Sequence, residues 1–78
     1  MDLTDIKSPI KRDEVLRVLN NPQPRHNERI WLSGFLGYIA GDPEEVFGLI
    51  DRLNHWKDYN ARITKQQIQS VFKSSRKL

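Results

Sequence analysis

The sequence predicts a small all-α domain of four helices, either a four-helix bundle or an orthogonal helical domain. Three observations carry that expectation. Apolar residues recur at three- and four-residue spacing, and no alternating run is long enough for a strand. An uncharged stretch runs from Ile30 to Gly41, which suits a buried central helix and falls well short of the ~20 residues that span a bilayer. Gly41-Asp42-Pro43-Glu44-Glu45 is a helix stop followed at once by a helix start. The glycine takes the left-handed end, Asp42 caps, Pro43 fills the first position, and two acids sit on the positive end of the dipole. The 78 residues form one domain, 1–78, with its core in residues 9–74.

Each element has its own local reason. Residues 1–7 show no periodicity and are expected to be a loose leader. Ser8-Pro9 fits an N-cap followed by proline at the first helical position, and the first helix runs to about Asn20 with Val15, Leu16, Val18 and Leu19 as its stripe. Asn20-Asn21-Pro22-Gln23-Pro24 is a loop or hinge. Pro24 or Asn27 marks the start of the second helix. There Trp31, Leu32, Phe35, Leu36, Tyr38 and Ile39 make one broad apolar face, with Ser33, Gly34 and Gly37 opposite. Each mid-helix glycine costs about 1 kcal/mol against alanine, so another helix is expected to approach that bare backbone.

The third helix is expected from Pro43 to about Lys57, with Val46, Leu49, Ile50, Leu53 and Trp56 inward. Thr64-Lys65-Gln66-Gln67 has the pattern of a capping box, and Ile63 and Ile68 have the spacing of a hydrophobic staple. The fourth helix is therefore expected to be capped by Thr64, to point Ile68, Val71 and Phe72 inward, and to fray from Ser74. Its outward face gathers Gln66, Gln69, Ser70, Lys73 and Lys77, with no acid.

The net charge is +3 and unevenly spread. Residues 1–51 hold six basic and nine acidic side chains, a balance of −3, whereas residues 52–78 hold seven basic and one acidic, a balance of +6. A basic end points to an anionic partner; the plain alternative is a solvated tail. Cysteine is absent, which excludes a disulfide framework and thiolate metal sites. The first residues have no apolar stretch of the secretory type, so a cytoplasmic protein without membrane partners is expected.

Catalytic patterns are lacking. On a helix reaching Lys57, Asp51, His55 and Asp58 would be neighbours at i, i+4 and i+7, a row that could hold a metal or shuttle protons; ordinary ion pairing on a solvated face is the commoner reason for such a row. There is no zinc-protease helix motif, no phosphate-cradling glycine loop and no acid pair of a two-metal nuclease. No enzyme, metal or cofactor is expected.

The nucleic-acid signal is richer. Lys57, Arg62, Lys65, Lys73, Arg76 and Lys77 can neutralise phosphates, Gln66 and Gln69 can hydrogen-bond, and Tyr59 can stack on an unpaired base. Arg25 and Arg29 join this surface if the loop before the second helix brings them near. Trp56 reads as core. Amides at the start of the fourth helix are a further phosphate site. The third and fourth helices make a weak helix-turn-helix pattern, because their connection exceeds the usual ~3–4 residues.

Residues 27–73 resemble the helical C-terminal domain found behind the catalytic domain of primases and primase-polymerases of plasmids, phages and archaeal elements. The resemblance rests on Arg29 with Trp31-Leu32-Ser33-Gly34-Phe35-Leu36, Gly41, Glu44-Glu45-Val46, Leu49-Ile50-Asp51-Arg52-Leu53-Asn54 and Thr64-Lys65-Gln66-Gln67-Ile68-Gln69-Ser70-Val71. Where that family has a proline-rich segment before its last helix, this chain has His55-Trp56-Lys57-Asp58-Tyr59-Asn60. The resemblance implies a non-catalytic module of DNA replication that holds template or primer, single-stranded DNA or a primer-template. The alternative is a small accessory subunit whose basic end docks on an acidic polymerase or primase subunit.

Overall fold

In the computed structural model, which describes the backbone of residues 1–76 and the side chains of residues 1–74, one 3-10 turn precedes four α-helices. The turn is Leu3–Asp5; α1 is Pro9–Asn20, α2 His26–Ala40, α3 Pro43–Leu53 and α4 Ala61–Arg76. No strand occurs among the described residues, and no helix is long and apolar enough to cross a membrane.

The strongest local signals form as the sequence implies. The Ser8 hydroxyl accepts the Lys11 N–H at 3.3 Å and Pro9 opens α1. Gly41 ends α2 at φ 69°, ψ 8°, and its N–H donates to Gly37 O at 2.8 Å. A left-handed residue without a Cβ releases the chain at no steric cost. Asp42 then accepts the Glu44 N–H at 3.0 Å and Pro43 starts α3. α2 begins at His26, between the two expected starts. There the Glu28 carboxylate accepts the Arg25 N–H at 2.9 Å, the side-chain-to-cap half of a capping box.

The core joins Val15, Val18 and Leu19 of α1, Leu32 and Leu36 of α2, Val46, Leu49 and Ile50 of α3, and Ile68 of α4, together with Ile6 and Trp56 from outside the helices. α2 packs against all three other helices, and so does α3. α1, α2 and α3 each bury three residues, so burial alone does not single out α2 as the centre.

α2 is turned differently from its apolar pattern. Leu32 and Leu36 are buried, but so is Ser33, while Trp31 and Phe35 are half-exposed and Tyr38 is 89% exposed. The expected broad apolar face is thus split: half of it turns inward with the small residues, and its aromatic edge faces water. The reason lies in α4. A Cβ on Gly37 would meet ring carbons of Phe72 at 2.9 Å, and one on Gly34 would meet Val71 at 3.8 Å. Close approach of α4 to the glycine side rotates the aromatics outward, where Trp31 and Phe35 stack on each other at 5.5 Å and 5°.

The leader is not loose. Asp2 accepts the Thr4 N–H at 2.7 Å and the Asp5 carboxylate accepts the Asp2 N–H at 2.9 Å, closing the turn Leu3–Asp5. Ile6 is 1% exposed and belongs to the core. Arg12 donates to Ile6 O at 2.8 Å, Arg52 donates to Met1 O at 3.1 Å, and the Met1 amino group contacts Glu45. One buried side chain and a few backbone anchors do what periodicity does elsewhere, and seven residues are too few for periodicity to show.

Candidate nucleic-acid interface

The segment between α3 and α4 positions everything basic that follows. α3 stops at Leu53, four residues before the expected end. Asn54 supplies the stop: its amide donates to Ile50 O at 2.8 Å and its Oδ1 accepts the Trp56 N–H at 3.1 Å. Beyond it the backbone is bonded to the end of α1 and the connector after it. His55 N–H donates to Leu19 O and Lys57 N–H to Pro22 O, both at 2.8 Å. The Trp56 indole donates to Val18 O at 3.0 Å. Carbonyls that a helix C-terminus leaves unpaired are thereby satisfied. Trp56 is core, as its place on the apolar stripe implied, but it reaches the core from a loop.

The Asp51–His55–Asp58 row therefore does not form. Asp51 accepts the Tyr59 hydroxyl at 2.5 Å, and Asp58 accepts both of its short contacts from Arg29, at 3.0 and 3.1 Å. Among the described residues no cluster of three or more potential ligands exists for a metal ion.

α4 also starts earlier than Thr64. The Asn60 side chain accepts the Ile63 N–H at 3.1 Å and its carbonyl accepts the Thr64 N–H at 2.9 Å. Asn60 is thus the cap, a role asparagine fills as well as any residue. Thr64 lies inside the helix and is 7% exposed. The Ile63–Ile68 staple is absent, because Ile68 is buried while Ile63 is 53% exposed. The earlier start adds a turn containing Arg62. It brings Arg62, Gln66, Gln69 and Lys73 to i, i+4, i+7 and i+11 of one helix, and all four are exposed. Ile63 is the residue that sequence reasoning misplaced here; recognising Asn60 as the cap would have put it on the outer face.

The remaining candidates divide into free and engaged groups. Arg25, Lys57, Arg62 and Lys73 are exposed and have no ion-pair or side-chain hydrogen-bond partner among the described residues. Arg29 is committed to the fold. It donates to Pro24 O at 3.1 Å, pairs with Asp58, and lies 4.8 Å from the Trp56 ring centre with only 18% of its side chain exposed. Lys65 pairs with Glu44 at 3.4 Å and lies 5.6 Å from the Phe47 ring centre. That contact is exposed and worth little, yet it spends the charge on α3.

Tyr59 is not an open stacking platform. It is half-buried, tilted against Trp56 at 6.1 Å and bonded to Asp51. Burial, and then the Asp51 carboxylate, push its hydroxyl pKa above the ordinary tyrosine value. Arg76 lies at the end of α4, and Lys77 lies outside the described residues.

The head of α2 does come beside α4. Pro24, His26, Arg29, Asp58 and Gln67 line one shallow cleft of about 320 Å³. The free Arg25 and Lys57 are chain neighbours of residues in its wall. The outer face of α4 carries no acid, and its helix shares this cleft with the head of α2 through Gln67. Comparison of the chain with protein-family models, with curated proteins and with solved structures gives no match.

Proposed function

We propose that this chain is a non-catalytic nucleic-acid-binding helical module of the cytoplasm and that α4 carries the contact. The observation behind it is the outer face of α4: Arg62, Gln66, Gln69 and Lys73, exposed, without internal partners among the described residues, on a helix that contains no acid. Unpaired cations on an ordered helix neutralise phosphates and release counterions, and neighbouring amides add hydrogen bonds. Arg25 and Lys57 extend the basic surface. The resemblance of residues 27–73 to primase C-terminal domains supports a role in replication, holding template or primer.

The test is a salt titration of DNA binding by fluorescence anisotropy. The parent binds at low salt with a negative log–log slope. Arg62→Ala and Lys73→Ala each flatten that slope by about one unit. Arg17→Ala, on the outer side of α1, leaves it unchanged. If no DNA or RNA binds at low salt, the proposal falls, and docking of the same cations on an acidic polymerase or primase subunit replaces it. If Arg17→Ala flattens the slope as much as Lys73→Ala, the surface is elsewhere.

A further inference from the structure

Resting on that reading and narrowing it, we infer that the ligand is duplex DNA and that α4 enters its major groove. Six residues of α4 are exposed on one side: Arg62, Ile63, Gln66, Gln69, Ser70 and Lys73. At 100° per residue they fall within an arc of about 120°. The opposite side of the helix is given to the core through Thr64 and Ile68, and to α2 through Val71 and Phe72. α4 therefore presents a clean edge from Arg62 to Lys73, 12 of the helix's 16 residues, or about 18 Å at 1.5 Å per residue. A helix of ordinary diameter fits a groove about 12 Å wide.

The chemistry of the edge matches base edges better than base faces. Gln66 and Gln69, one turn apart, are the side chains that bond bidentately to adenine at N6 and N7; Arg62 does the same to guanine at O6 and N7. Ser70 and Lys73 suit bases or phosphates further along the groove. Ile63 is the telling residue. It is an apolar side chain 53% exposed among polar neighbours, and it is not one of the described apolar residues packed on the core. An apolar group at that place meets the thymine methyl, which only the major groove displays.

Single-strand recognition needs rings on which bases stack, and the outer edge of α4 has none. Its one aromatic residue, Phe72, packs on Gly37. Tyr59 and Trp56, the rings just before α4, are taken up by Asp51 and by the core. Arg25 and Lys57, exposed and next in sequence to residues of the cleft that α2 and α4 share, are further cations for phosphate contacts.

The experiment uses the whole chain and four probes of one length: a randomised duplex, its single strand, a duplex with 7-deazapurines that lack N7, and a duplex with inosine for guanine, which lacks the minor-groove amino group. Duplex is expected to bind at least about 10-fold tighter than single strand. Loss of N7 weakens binding about 5- to 100-fold, whereas inosine changes it little. Selection from the randomised pool yields a preferred sequence, and Gln66→Ala with Gln69→Ala relaxes it without changing the salt slope. Both side chains are exposed, so the fold survives and circular dichroism verifies this.

Equal or tighter binding to the single strand overturns the duplex inference and leaves the nucleic-acid reading standing. Duplex binding that ignores the loss of N7 overturns entry into the major groove and likewise leaves the nucleic-acid reading standing. No binding to any probe at low salt removes the nucleic-acid reading itself.

Discussion

α2 and α4 touch each other through the glycines of one and Val71 and Phe72 of the other, but they announce their orientation very differently. α4 is polar and basic on one side and apolar on the other, and only one rotation about its axis buries Ile68 while leaving Arg62, Gln66, Gln69 and Lys73 in water. α2 is apolar or small all round between Ile30 and Gly41, so its rotation has to be set by its neighbours. Shape sets it: the narrow side with Gly34 and Gly37 admits α4, Ser33 goes inside, and Tyr38 goes out. The lesson is that hydrophobicity orients an amphipathic helix, whereas steric fit orients a uniform one.

That contrast is sharpest within one turn of α2. Leu36→Ala should cost ~2–5 kcal/mol, since the side chain is fully buried. Tyr38→Ala should stay within about 0.5 kcal/mol, as an exposed substitution. Urea denaturation of both variants decides it, and equal losses would mean that α2 faces as its apolar pattern alone suggests.

The two helices also differ in what their arginines do. Arg29→Ala on α2 removes a carboxylate pair, a bond to Pro24 O and contact with the Trp56 ring, for an expected loss of about 1–3 kcal/mol. Arg62→Ala on α4 should leave stability within about 0.5 kcal/mol and, on the proposed function, weaken only the binding of nucleic acid. A large stability loss at Arg62 would show that its side chain is part of the fold.

The contact itself can be probed with two alanines. Gly34→Ala meets Val71 at an ordinary 3.8 Å and should gain up to about 1 kcal/mol of helix propensity. Gly37→Ala meets the Phe72 ring at 2.9 Å; the ring has to swing aside, which offsets or outweighs that gain. Thermal melts with Gly37→Ala the more stable of the two would remove the claim that close approach at Gly37 fixes α2.

The smallest effect concerns Tyr59. Its hydroxyl is held protonated above the unfolded value of about 10, so the folded state keeps the proton longer. The stability from this bond is complete below about pH 10 and falls as pH rises through the higher folded-state pKa. Tyr59→Phe should cost about 1 kcal/mol or less at neutral pH. It should also lose less stability than the parent between pH 7 and about pH 11. Denaturation midpoints at the two pH values measure both.

The sequence by itself determined what depends on a few consecutive residues. Ser8-Pro9 starts α1, and Gly41-Asp42-Pro43 closes one helix and opens the next, because caps, a left-handed glycine and a fixed proline φ act over four or five bonds. The inward set Ile68, Val71 and Phe72 and the acid-free outer face of α4 were legible too, since amphipathic periodicity is written along one helix.

The tertiary structure alone decided whatever needed a partner from far along the chain. α3 ends at Leu53 because backbone donors beyond it find Leu19 O and Pro22 O rather than another helical turn. Residues 1–7 are held because Ile6 finds the core and Arg12 and Arg52 find their carbonyls. Arg29, Lys65 and Tyr59 looked like free binding groups in the sequence, but Asp58, Glu44 and Asp51 take them up. A charge or a ring is a candidate for binding only when no nearer partner claims it, and the distance to that partner is set by the fold, not by position in the chain.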